Sequence, residues 1–223
     1  FTPGPEAKLG DLSRALGSLL VASVATALVL NASPLAVQIL ATDQQADESG
    51  KFLNALLVAR VPLFFFQAVQ AALLPRLSGL AGQEKFDELW RELKRLLTLV
   101  IGLGVAAVLF MGLVGPQIVV FAFGEEFRVS HSDMALLACS SGGLMIALSL
   151  TQALIACKAQ GRMAMAWVVG VGVFPVTLSI AKTHLFLRVE IALIATVFTA
   201  SFLMTTLLLK HLSLTRSTKL ARD

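Results

Sequence analysis

One arginine lies where a membrane-spanning helix is expected to be apolar throughout. Arg60 opens the stretch RVPLFFFQAVQAALL, between Lys51 and Pro75, at roughly 14 Å and 22 Å from those two residues along a helix. A charge at that depth costs about 2.5 kcal/mol or more, so such residues usually face a bundle interior or an aqueous cavity. The planar guanidinium can bind a phosphate group through two parallel hydrogen bonds. Arg60 is therefore a candidate residue for binding an anionic substrate.

Side-chain amides accompany this arginine within the apolar segments. Gln67 follows Arg60 by seven residues, which places the two close to one helix face. Asn31 and Gln152 lie in two other apolar segments. We predict a substrate cavity lined by Arg60, Gln67, Asn31 and Gln152. Two alternatives stay open: Arg60 snorkels to the interface or bonds carbonyls of a neighbouring helix, and the amides bridge helices.

The sequence lacks the usual patterns of catalytic and metal sites. It contains no GxxxxGK[ST] phosphate loop, no HExxH and no CxxC. None of its 14 acidic residues lies deep in a predicted span, so if transport is coupled to protons or sodium, the coupling carboxylate is expected elsewhere. Cys139 and Cys157 lie in apolar runs and are expected to pack as small hydrophobic residues. We predict no catalytic residue, no metal and no cofactor.

The composition is that of a membrane protein. Of 223 residues, 57% are hydrophobic and 14% are charged, and the mean hydropathy is +0.81, which no soluble core of this size accommodates. The net charge of +4 comes from basic residues beside apolar segments, so topology explains it and no nucleic-acid partner is expected. The chain begins at Phe1 without a signal peptide pattern, and we interpret it as a piece of a longer protein.

Continuous apolar runs predict an all-α integral membrane protein with a six-transmembrane-helix bundle. Each run is long enough for a bilayer about 30 Å thick, and none alternates as barrel strands do. The predicted spans are about 14–41, 52–75, 95–121, 133–157, 163–183 and 190–210. A cytoplasmic linker (1–13) precedes the bundle (14–212), a cytoplasmic amphipathic connector covers 82–94, and a cytoplasmic tail covers 213–223.

Loop charges predict the orientation of the bundle. Thirteen of the 18 basic residues fall on the side of both termini, four fall on the opposite side, and Arg60 is the remaining one. Because cytoplasmic loops carry an excess of lysine and arginine, both termini are expected in the cytoplasm.

Two segments resemble a known transporter family. The run ALLVARVPLFFFQAVQAALLPRLSGLAGQEKFDEL and the later VVFAFGEEF are similar to the second half of polysaccharide transporters of the multidrug/oligosaccharidyl-lipid/polysaccharide (MOP) exporter superfamily. The nearest likeness is to O-antigen and capsule-type flippases of lipid-linked oligosaccharides. These segments recur across the superfamily and mark the fold more than the substrate.

The resemblance implies that the chain is the C-terminal lobe of a MATE-like, two-lobe transporter. Its missing partner would be an N-terminal six-helix lobe. The protein would be located in the bacterial cytoplasmic (inner) membrane. The implied activity is alternating-access export of a polyprenyl-pyrophosphate-linked oligosaccharide for polysaccharide or lipopolysaccharide biosynthesis. Arginines in the lumen would bind the pyrophosphate, and Arg60 is the candidate in this half.

Two other functions remain as alternatives, and neither is favoured by the charged residues. A multidrug/cation antiporter of the same superfamily needs an intramembrane carboxylate, which this half does not show. A polyprenyl-phosphate-dependent glycosyltransferase needs acidic residues gathered at a membrane face. The five outer-loop acids are expected to be solvated and not catalytic, and the chain is predicted not to be an enzyme. These acids are Asp43, Asp47, Glu48, Glu125 and Glu126.

Overall fold

The computed structural model of the protein describes residues 9–41 and 46–220, and the predicted linker over 1–8 lies outside these ranges. The described part of the chain is helical and contains no strand. A short 3₁₀ turn, Glu125–Phe127, follows the fourth helix. The helices are α1 (Leu9–Leu40), α2 (Ala46–Ala59), α3 (Val61–Gly82), α4 (Phe86–Phe123), α5 (His131–Ala156), α6 (Gln160–Ile180) and α7 (Leu185–Leu220).

Six helices in the described ranges are long and apolar enough to cross a membrane, so the predicted fold class is confirmed. The short α2 is the exception, and it begins with Asp47 and Glu48 in its first turn, where acidic side chains stabilise the positive end of a helix. The candidate spans are Leu12–Leu40, Val61–Gly82, Phe86–Phe123, His131–Ala156, Gln160–Ile180 and Leu185–Thr215.

The second predicted span, 52–75, is divided by a proline. Helix α2 ends at Ala59 and α3 begins at Val61, with Arg60 between them. Pro62 has no N–H to donate to the carbonyl of Val58, and its ring pushes against that carbonyl. Arg60 keeps a helical hydrogen bond to Leu56, at 3.0 Å. The chain is therefore interrupted at Arg60 but keeps hydrogen bonds across the break.

The polar segment predicted as a separate connector, 82–94, forms the start of a spanning helix. Helix α4 begins at Phe86 and continues without interruption to Phe123. The expected amphipathic stripe is present, because Leu89 and Leu93 are fully buried. Residues 83–85 alone separate α3 from α4, so the two helices form a tight hairpin.

Helix α5 is the most buried of the candidate spans and packs against α3, α4 and α7. The fully buried indole of Trp167 in α6 donates from Nε1 to Thr151 Oγ1 of α5, at 3.0 Å. The Thr151 hydroxyl in turn donates to the Ala147 carbonyl, at 2.9 Å. This satisfied pair fixes α6 against the central helix.

Close helix packing uses particular glycines of the sequence. The Gly142 Cα would lie 3.6 Å from a Cβ added at Gly104, where α4 meets α5. A Cβ added at Gly170 would lie 2.9 Å from Ala200 Cβ, where α6 meets α7, whereas one added at Gly172 meets nothing within 4 Å. Of the two glycines in the sequence pattern VGVGV, Gly170 is therefore required for close helix packing, whereas Gly172 has free space beside it.

Candidate functional site

Arg60 binds the backbone of a neighbouring helix. Its Nη2 donates to the Leu30 carbonyl of α1, at 2.8 Å, and its side chain is half-buried. That carbonyl would normally accept from the N–H four residues later, but residue 34 is a proline and has no N–H. Arg60 therefore supplies the donor that Pro34 removes. One of its five guanidinium N–H donors is used in this bond.

The same arrangement recurs elsewhere in the bundle. His131 Nδ1 lies 2.7 Å from the Gly112 carbonyl, which Pro116 leaves without its helical donor. The Arg188 side chain donates to the Leu178 carbonyl near the end of α6, where helix carbonyls lack intrahelical partners. Side-chain donors thus compensate the irregular points of the helices, and Arg60 has a structural role of this kind.

A groove that contains four polar side chains lies between α1, α3 and α5. Its volume is about 580 Å³, and its polar side chains are Thr26, Gln67, Gln70 and Gln152, which define the amide groove. Gln67 is exposed and Gln152 is buried. The remaining walls are apolar and are formed by Leu30, Leu63, Ala71, Leu74, Pro75 and Leu148.

The structure brings together two of the four predicted cavity residues, Gln67 and Gln152. Arg60 is not part of the groove lining, but it binds the carbonyl of Leu30, and Leu30 does line the groove. Asn31 lies outside the lining, is exposed, and donates to the Ala27 carbonyl of its own helix at 2.8 Å. The groove adds Gln70, whose signal in the sequence is its position one turn after Gln67.

The sequence interpretation missed a buried carboxyl group. Helix α7 begins at Leu185, five residues before the predicted span, so Glu190 lies inside a candidate span and not at its boundary. Its side chain is fully buried, and neither carboxylate oxygen has a hydrogen-bond partner within the described ranges. Glu190 lies between the buried residues Val189 and Ala192 on α7. The expectation concerned acidic residues deep in a span, and Glu190, the sixth residue of the candidate span Leu185–Thr215, is buried near one end of it.

The outer-loop acids that the structure describes are exposed. Asp47 and Glu48 lie in the first turn of α2, and Glu126 in the 3₁₀ turn. The Arg128 guanidinium donates to both oxygens of Glu125, at 3.0 and 2.9 Å, and this bonding lowers the pKa of the Glu125 carboxyl. Asp43 lies outside the described residues. Within the described ranges, no group of three His, Cys, Asp or Glu side chains is placed to hold a metal ion.

The fold defines a class, that of multi-pass α-helical membrane proteins, since six of the described helices meet the length and polarity needed to cross a bilayer. Protein-family models, curated proteins and solved structures were compared with the chain, and none matched. A more particular function is therefore argued from the amide groove and its surroundings.

Proposed function

We propose that this chain is one lobe of a membrane transporter that moves lipid-linked oligosaccharide by alternating access, at the cytoplasmic membrane of a bacterium. The amide groove is its part of the substrate pathway, and a second bundle covers it. Rocking of one bundle against the other around a fixed site is the usual mechanism of such two-lobe carriers.

The observation that carries this proposal is the gathering of four polar side chains in the amide groove. Thr26, Gln67, Gln70 and Gln152 all lie inside candidate membrane spans. An amide that finds no hydrogen-bond partner in hydrocarbon costs several kcal/mol. A groove of this composition is therefore better suited to water and a polar ligand than to lipid chains.

The chemistry of the groove fits a glycan better than an ion. Glutamine amides and a threonine hydroxyl donate and accept hydrogen bonds without carrying charge, which matches the hydroxyl groups of a sugar. Arg60, next to the groove through Leu30, keeps guanidinium donors beyond the one that binds the carbonyl. Those donors match the oxygens of a pyrophosphate.

Translocation in proteoliposomes tests the proposal. The chain, produced together with any coding sequence that flanks it in its gene, is reconstituted with a fluorescent polyprenyl-pyrophosphate oligosaccharide, and lectin access reports transfer between leaflets. The double variant Gln67→Leu and Gln152→Leu should lower the rate about tenfold or more, the scale of losing one or two hydrogen bonds to the substrate. Gln117→Leu, an exposed amide of α4 outside the groove, serves as the control. Equal rates for the three proteins would contradict the proposal.

A second candidate function, a cation-coupled antiporter, is favoured by Glu190. Antiporters bind their driving ion at an intramembrane carboxylate, and Glu190 is a fully buried carboxylate without a protein partner in the described part of the chain. In the same proteoliposomes, an imposed proton or sodium gradient would accelerate transport, and Glu190→Gln would remove that acceleration. Transport that ignores both gradients would exclude this candidate.

A further inference from the structure

A second groove lies on the other side of α3, between α3 and α4. Its volume is about 450 Å³, and it shares no lining residue with the amide groove. We refer to it as the hairpin groove. Its lining consists of Val69, Ala72, Leu73 and Arg76 from α3 and Glu92, Arg95, Leu96 and Leu99 from α4.

The hairpin groove has a charged end and an apolar end. Each helix contributes residues at positions i, i+3, i+4 and i+7, which form one face of a helix and extend over about 10 Å. Because the short link 83–85 makes the two helices antiparallel, Arg76 and Arg95 lie at the end of the groove nearer to that link. Val69 and Leu99 lie at the other end, and both are exposed.

The charged end has an arginine available for an anion. Arg76 Nη2 lies 2.9 Å from Glu92 Oε1, so these two charges largely neutralise each other. Arg95 is exposed, and no hydrogen bond or ion pair to it is found within the described ranges. With two arginines and one glutamate in its lining, the hairpin groove carries a formal charge of +1.

A neighbouring pocket does not share these properties. It uses the same Arg76 and Glu92 but adds Arg91 and Glu88, so its lining has a formal charge of zero. The remainder of its lining is formed by Pro75, Gly79, Leu80 and Gln83, with no apolar face on α4. Only the hairpin groove, of these two, combines a net positive end with a continuous apolar channel.

We propose that the hairpin groove binds an anionic phospholipid of the surrounding bilayer. The phosphodiester, with one negative charge, binds Arg95 and Arg76, whose planar guanidinium groups suit phosphate oxygens. One acyl chain lies along Ala72, Val69 and Leu99. A free phosphate ion would use the charged end and leave the apolar end empty, and a zwitterionic headgroup would bring a cation beside the arginines.

The location of the groove agrees with this ligand. Its charged end contains Arg76 and Arg95, which stand at the facing boundaries of the predicted spans 52–75 and 95–121, the level at which headgroups are expected. The sequence places the 83–85 link on the cytoplasmic side, where anionic lipids attract basic residues near the membrane surface.

Native mass spectrometry of the 223-residue chain in detergent micelles tests the proposal. The probes are a phosphatidylglycerol, a phosphatidylcholine with the same acyl chains, and inorganic phosphate. Phosphatidylglycerol should bind about tenfold more tightly than phosphatidylcholine, the scale of one charge-assisted hydrogen bond. Arg95→Gln should remove this preference, whereas Arg91→Gln, the matched arginine outside the groove, should keep it.

A variant of the apolar end separates lipid from free anion. Ala72→Trp fills the channel without changing a charge, and it should also weaken phosphatidylglycerol binding about tenfold. This variant decides the matter if Arg95→Gln does not fold. Equal binding of the two lipids, an equal effect of the two arginine variants, or displacement of phosphatidylglycerol by equimolar inorganic phosphate would overturn the proposal.

Discussion

Arg60 and Pro34 should be energetically coupled, although Pro34 lies in α1 and Arg60 lies between α2 and α3. Pro34 leaves the Leu30 carbonyl without its helical donor, and Arg60 Nη2 supplies a substitute at 2.8 Å. If Pro34 is replaced by alanine, the new N–H can donate to Leu30 and complete the helix. The bond from Arg60 is then redundant, so the value of Arg60 to stability should depend on residue 34.

A double-mutant cycle measures this dependence. Arg60→Met alone removes the bond but also relieves the cost of burying a charge, which is about 2.5 kcal/mol or more on insertion scales. The sign of its effect is therefore not diagnostic. The difference between its effect in the natural sequence and its effect in the Pro34→Ala variant isolates the bond, because the burial cost cancels. We expect a coupling energy of about 1.5–3 kcal/mol, the usual contribution of a hydrogen bond made by a charged group, here to a partly buried carbonyl.

The assay is reversible unfolding in mixed micelles, followed by helical circular dichroism for the four proteins of the cycle. Asn31→Leu serves as the control, since the Asn31 amide bonds within its own helix and should show no coupling to residue 60. A coupling energy near zero between residues 34 and 60 would refute the structural role of Arg60. Arg60 would then be free to act on substrate alone.

Three further changes have defined outcomes. Glu190→Met should raise the free energy of unfolding by about 1–3 kcal/mol, because it removes a buried carboxylate without a partner in the described ranges. As a control, Glu126→Met, at an exposed position, should leave the thermal midpoint unchanged. A loss of stability for Glu190→Met would contradict the prediction. Gly170→Ala should destabilise the bundle by about 1–3 kcal/mol, because the added methyl group would clash with Ala200. Gly172→Ala should not destabilise it. Equal thermal midpoints for the two variants would contradict this prediction. Burial raises the pKa of the Cys157 thiol to about 11. The rate at which Cys157 is alkylated, measured by mass spectrometry, should therefore still increase as the pH rises above about 9. An alkylation rate that is already constant above about pH 9 would contradict the raised pKa.

The sequence predicted the membrane fold well because continuous apolar runs are a local property. The expected number of six spans agrees with the six candidate spans in the described residues. The helix boundaries were less predictable. The proline rule marks Pro62, whereas the break between α2 and α3 lies at Arg60, which bonds to α1 and α2. The segment predicted as a connector is the first part of helix α4, because the buried residues Leu89 and Leu93 belong to the same buried face as the rest of the spanning helix.

The candidate site was predictable only in part because it depends on contacts between helices. Gln67 and Gln152 lie 85 positions apart in the chain, and no local pattern indicates that α3 and α5 meet there. The partner of Arg60 is a backbone carbonyl, and because every residue has one, the sequence does not indicate this partner. Glu190 was missed because the predicted span began at that residue, and its burial follows from the earlier start of α7.

The central claim is that the amide groove is open to water and not to lipid. Cysteine labelling in membranes measures this directly, in a protein whose Cys139 and Cys157 are replaced by alanine. Gln67→Cys is compared with Phe65→Cys, which lies at nearly the same depth of α3 on its exposed apolar face. We predict that a water-soluble maleimide labels Gln67→Cys and not Phe65→Cys, and that a polyprenyl-pyrophosphate oligosaccharide slows the labelling. Equal protection of both cysteines would contradict the account.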